Sequence, residues 1–166
     1  MAEHGFTLDA TTKEERYEQF LSQYRDFAKG ERHAMPLLAN TTALLKEAFG
    51  FFWVGFYLVK GSRLVLGPFQ GPVACSSIAY GRGVCGTAWR ERKTIVVPDV
   101  DQFPGHIACS SSSRSEIVVP LVAPDTDGMQ VAGVLDIDSD RLNEFDDTDR
   151  IWMERIVAVL MQTIEL

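Results

Sequence analysis

Phe51 to Val59 reads FFWVGFYLV, and after Lys60-Gly61-Ser62 the chain resumes as RLVLGPF over Arg63 to Phe69. Aromatic and β-branched residues fill the first run, and a short glycine-containing break between two such runs is a hairpin signal. The pair therefore predicts two adjacent antiparallel strands at the start of a meander. Further strands are expected at Thr94 to Val97, Glu116 to Leu121 and Gln130 to Ile137, the last two separated by the turn-rich APDTDG. The expected sheet has five or six strands, mostly antiparallel.

Helices are expected on either side of this sheet-forming region. Before it, Tyr17, Phe20, Leu21, Tyr24 and Phe27 recur at helical spacing between Lys13 and Ala28, with Gly30 as a stop. Leu37, Leu38, Thr41, Leu44 and Leu45 do the same between Ala34 and Ala48, ended by Gly50. These two helices are expected to pack together on one side of the sheet. After the sheet, Asp146 can cap a helix running to about Ile164, with Trp152, Ile156, Val159, Leu160 and Thr163 on one face. A short helix is also possible at Val84 to Arg92, entered through Gly81 and Gly83. No repeat, linker or second domain is visible, so residues 1–166 are expected to form a single α+β domain.

Composition narrows the function classes. The 166 residues are 46% apolar and 23% charged, as in a globular protein that can bury a core without staples. The formal charge of -7 argues against nucleic acid, whose affinity for proteins comes from clustered Lys and Arg. The start, MAEHGFTLDA, lacks the basic and apolar parts of a secretory signal, and no run approaches the length needed to span a bilayer. A cytoplasmic protein without membrane partners is the expectation.

Cys75, Cys85 and Cys109 lie in two long segments, Gly71 to Trp89 and Asp99 to Ser115, that carry no strong strand or helix pattern. Three is an odd number, so they cannot form a fully paired framework within one chain. Free cysteines are often inert core residues. Cys109, however, sits in HIACSSSSRSE, among small polar residues with His106 and Arg114 nearby in sequence. Cationic groups and loop amides of that kind favour a thiolate, the nucleophilic form. With no CxxC and no His at ligand spacing, zinc is poorly supported and no metal is expected. A nucleophile with one or two resolving thiols suits the three cysteines better.

In GVLDIDSD, Asp136 and Asp138 alternate along a strand, so both point to one face while Leu135 and Ile137 point to the other. They are either a solvated strand end or, with Glu116 from the neighbouring strand, a site for the ammonium of a small zwitterion. Trp53, Phe56 and Tyr57 are either core or the wall of such a site.

Taken together, FFWVGFYLV, GPVACSSIAYGRGVCGTAW, VVPDVDQFPGHIACSSSSRSEIVVPL and GVLDIDSDRLNEFDDTD resemble the free methionine-R-sulfoxide reductases, which are single GAF domains. The likeness extends from about Tyr17 to the C-terminus and includes the cysteine spacings of 10 and 24. It implies a six-stranded antiparallel sheet with helices on one face and cysteine-bearing loops enclosing a pocket on the other, commonly in a homodimer. By resemblance, Cys109 is the nucleophile on the sulfoxide sulfur, and Cys75, ahead of Cys85, is the resolving thiol. Trp53 and Tyr57 would wall the methyl-sulfoxide group. Glu116, Asp136 and Asp138 would hold the amino group and assist protonation of the oxygen. The substrate implied is free L-methionine-R-sulfoxide, the reductant a thioredoxin-like dithiol protein, and no cofactor is needed. The competing readings are a non-catalytic GAF sensor for a small ligand and a redox-sensing interaction protein.

Overall fold

A computed structural model of the chain describes residues 5–166. Helix α1, Lys13–Lys29, starts where Thr12 Oγ1 accepts the Glu15 N–H, and it buries Tyr17, Phe20, Leu21, Tyr24 and Ala28. Helix α2, Ala34–Phe49, ends at Gly50, whose φ of 69° is the left-handed conformation that glycine adopts without strain. The last helix, Asp147–Thr163, begins in a capping box in which the Asp146 and Asp149 side chains each accept the other's backbone N–H. Trp152, Ile156 and Leu160 are buried on its inner face as expected, but Met153 and Val157 complete that face while Val159 and Thr163 are half-buried.

The strands are β1, Trp53–Lys60; β2, Arg63–Gln70; β3, Ser77–Ala79; β4, Ile95–Val97; β5, Ser115–Val122; and β6, Val131–Ser139. They form one sheet in the order β3-β2-β1-β6-β5-β4, and every neighbouring pair is antiparallel. The expected hairpin is β1–β2, with Lys60 opposite Arg63. Strand β3 lies in a segment that sequence pattern left irregular, and it is only three residues long.

Period-two alternation sends two sets of side chains to opposite faces. Val54, Phe56, Ile117, Val119, Leu121, Leu135 and Ile137 join the buried faces of the three long helices in the main core. Within that layer, α1 and α2 meet at the Tyr24–Thr41 hydroxyl pair, 2.8 Å apart, but α1 packs chiefly along the last helix. There Asp149 accepts hydrogen bonds from Tyr17 Oη, Lys13 Nζ and its own cap's N–H at Asp146.

The opposite face is not left to loops alone. Helix α3, Gly83–Glu91, lies across it, and the C-terminal helix just described is α4. Val84, Cys85 and Ala88 of α3 pack with Trp53, Tyr57, Leu64, Val118 and Val134 in a second, smaller core. Helix α3 comes this close because Gly86 has no side chain, since a Cβ there would strike the Ala79 carbonyl. Among the described residues no helix is long and apolar enough to cross a membrane.

Candidate active site

The central strands place an acidic cluster on the α3 side of the sheet. Strand register sets Glu116 opposite Asp138 and Val118 opposite Asp136, while on the other side of β6 Trp53 pairs with Asp138 and Gly55 with Asp136. Asp136, Asp138 and Glu116 therefore share one face, as the alternation in GVLDIDSD predicts. Glu116 and Asp136 are buried, and Asp138 is half-buried.

Burial is the main cause that lifts the Glu116 carboxyl well above the ordinary carboxylate range, with the negative charges of Asp136 and Asp138 adding to it. Asp138 is raised by burial and by Asp136, and Asp136 is raised by burial while hydrogen bonds from Glu116 and Cys85 partly oppose this. Burial and mutual repulsion thus favour a proton held among these three carboxyls. One oxygen of Asp136, Oδ1, is buried without any hydrogen-bond partner.

Above the acids sit the thiols. Cys85, in the first turn of α3, is 4% exposed, and its Sγ lies 4.0 Å from Glu116 Oε1. Burial, then Asp136 and Glu116, pushes its thiol far above the ordinary cysteine value, so it stays protonated. Cys75 and Cys109 are joined by a disulfide with Cα atoms 5.3 Å apart, which links the loop before β3 to the loop before β5. Both are half-buried.

Two aromatic residues hold the first of these loops. Trp53 Nε1 donates to the Pro72 carbonyl and Tyr57 Oη to the Cys75 carbonyl, each at 3.0 Å. The indole lies across Gly55, where any Cβ would collide with it. It stacks on Phe69 at 5.4 Å between ring centres and faces Tyr57 at 6.0 Å.

Seven of the eight residues that the family resemblance assigns to the site, Trp53, Tyr57, Cys85, Cys109, Glu116, Asp136 and Asp138, line one cavity. The eighth, Cys75, is bonded to one of them. Phe56 points the other way, into the helix-side core. Of the two cations near Cys109 in sequence, His106 reaches the cavity, with Nε2 3.9 Å from Glu116 Oε2, and Arg114 does not line it. Burial lowers the His106 pKa, so the ring is neutral at pH 7.

Sequence reasoning missed Arg82, Val84 and Ile107 in the lining. Arg82 is exposed at the start of α3, whose first turn no side chain caps. The signal for it was the Gly81-Arg82-Gly83 entry to a helix, since uncapped first-turn amides beside an arginine are a place for an anion.

Residues 37–165 match the GAF domain family. The chain is 55% identical over 150 residues to GAF domain-containing protein A of Dictyostelium discoideum, covering 90% of this chain and 92% of that one. It is 44% identical over 153 residues to the free methionine-R-sulfoxide reductase of Escherichia coli (strain K12), covering 92% and 90% respectively. The solved structure of free methionine-R-sulfoxide reductase from Neisseria meningitidis, in complex with its substrate, superimposes with a TM-score of 0.91 at 50% identity, covering 97% of this chain and 95% of that one.

Proposed function

Since the chain belongs to the free methionine-R-sulfoxide reductases, within the GAF domain family, we propose that as a single-domain enzyme it reduces free L-methionine-R-sulfoxide to L-methionine with Cys109 as the nucleophile. The observation that carries this reading is the meeting of Cys109 with three carboxyls of raised pKa across one cavity. Sulfoxide reduction needs a thiolate for the sulfur and a proton for the departing oxygen, and the raised carboxyls of the cavity are suited to supply the proton.

The substrate's ammonium takes the unpartnered Asp136 oxygen, and its carboxylate lies toward Arg82 and the first amides of α3. Trp53 and Tyr57 flank the methyl-sulfoxide end. The Cys109 thiolate attacks the sulfur, Glu116 or Asp138 protonates the oxygen, methionine leaves, and the oxygen remains on Cys109 as a sulfenic acid. The Cys75 thiol then displaces that oxygen as water and forms the disulfide. The Cys75–Cys109 bond supports this division of roles, and the protonated, enclosed Cys85 is a poor attacker beside them. A dithiol protein such as thioredoxin returns both thiols, reaching the half-buried disulfide from outside. We place the enzyme in the reducing cytoplasm as a homodimer, with no nucleic-acid or membrane partner.

Chiral amino-acid analysis tests the reading. With a dithiol reductant, free L-methionine-R-sulfoxide disappears while the S epimer and a sulfoxide within a peptide persist. Loss of both epimers at equal rates, or of neither, overturns it.

A further inference from the structure

We propose that Cys85, Glu116 and Asp136 form a zinc-binding site on the floor of the cavity, and that a zinc ion held there excludes the amino-acid substrate. The three come from α3, β5 and β6, and all are buried. One ligand atom from each lies within 4.8 Å of the other two, the one such grouping among the described residues. The expectation of no metal rested on the lack of a local ligand motif, and these residues are brought together only by the fold.

A second observation points to a cation. Asp136 lines the cavity, and its Oδ1 is buried with no hydrogen-bond partner. Zinc bonds of about 2.3 Å to sulfur and about 2.0–2.2 Å to oxygen put tetrahedral ligands about 3.6 Å apart. Cys85 Sγ and Glu116 Oε1 are already at 4.0 Å, so small side-chain rotations close the set. The fourth position opens on the cavity, available to water or to His106, whose Nε2 lies 3.9 Å from Glu116 Oε2.

The ligand types select the ion. A thiolate among the donors disfavours magnesium and calcium and favours zinc, with cobalt as its spectroscopic stand-in. On binding, the protons of Cys85 and of the carboxyls pass to solvent, and no electron moves. A divalent ion on Asp136 then fills the place assigned above to the substrate ammonium. That competition rests on the proposed function, whereas the binding of the ion does not.

The experiment uses the full chain in its disulfide form, in which Cys85 is the sole free thiol. Cobalt(II) should give a thiolate-to-metal charge-transfer band saturating at one ion per chain and be displaced by zinc. Cys85→Ser should abolish the band, and Asp136→Asn should weaken zinc binding by about tenfold or more, at least the loss that removing a supporting partner gives. Free methionine-R-sulfoxide should raise the apparent zinc Kd. Absence of the band, its survival in Cys85→Ser, or unchanged affinity in Asp136→Asn overturns the site. If the band behaves as expected but the sulfoxide leaves zinc binding unchanged, the exclusion of substrate is overturned and the binding of zinc stands.

Discussion

Glu116 on β5 and Asp138 on β6 are direct cross-strand partners at the centre of the sheet, and both face the cavity. Two ionised carboxyls so placed would repel, and burial makes either charge costly. The site therefore stores a proton at a pH where an exposed glutamate has lost its own.

That storage has a sign in stability. An unfolded Glu titrates at about 4.3, whereas the folded Glu116 is raised well above its usual range. Between those two values the native chain binds more protons than the unfolded chain, so stability falls as pH rises through the folded value and is complete below the unfolded one. Urea unfolding across that window should show a parent that weakens with rising pH and a Glu116→Gln variant with a flatter profile. Parallel profiles would remove Glu116 as the cause.

The same substitution should lower turnover by about 10²–10⁴-fold if Glu116 supplies the proton, the usual range for a general acid. Asp138→Asn should also impair turnover more than folding. Variants that turn over like the parent would reduce these carboxyls to the polar end of a strand.

Single-turnover product counts assign the thiols. Prereduced Cys109→Ser should release no methionine, and Cys75→Ser should release about one equivalent per site and then stall, because attack needs one thiolate and recycling needs a partner. A full equivalent from Cys109→Ser would move the nucleophile to Cys75 or Cys85.

Gly55→Ala probes the indole's seat. The added Cβ meets the Trp53 ring and Phe69 Cβ, so the ring must leave its place. A stability loss of about 1–3 kcal/mol is expected from overpacking. Because Trp53 also holds Pro72 of the cysteine-bearing loop, KM should rise as well. An unchanged KM would make Trp53 a packing residue only.

Away from the cavity, Asp149 joins α1 to the cap of α4. Asp149→Ala should cost about 2–4 kcal/mol, since it strands the buried Tyr17 hydroxyl and the cap. Lys13→Met should cost only about 1 kcal/mol, because Lys13 is 41% exposed and its pairing is screened. Denaturant unfolding of the two variants should give that order, and the reverse order would make the ion pair the dominant tie.

Where residue pattern has a period, it was readable in advance. The hairpin at Lys60–Arg63, the ends of α1 and α2, and the common face of Asp136 and Asp138 all follow from local spacing. Strand β3 was not legible, because three residues cannot establish a period and only pairing with β2 defines them. The face that α3 covers depends on the Gly86–Ala79 approach, a contact between separate elements. For the same reason nothing in GRGVCGTAW indicated that Cys85 would meet Glu116, and the nearness of Arg114 to Cys109 in sequence did not carry into space.

The order β3-β2-β1-β6-β5-β4 puts the two shortest strands on the outside, three residues each, and β1 and β6 in the middle. A long, bare outer strand is a template on which other chains can nucleate fibrils. Here the central segments, WVGFYLVK and VAGVLDIDS, are hydrogen-bonded on both sides. An incoming chain therefore meets the three-residue β3 and β4 and the stretches of β2 and β5 that they leave unpaired, residues 67–70 and 119–122, so any lengthening of the sheet between copies would have to start there and never at β1 or β6.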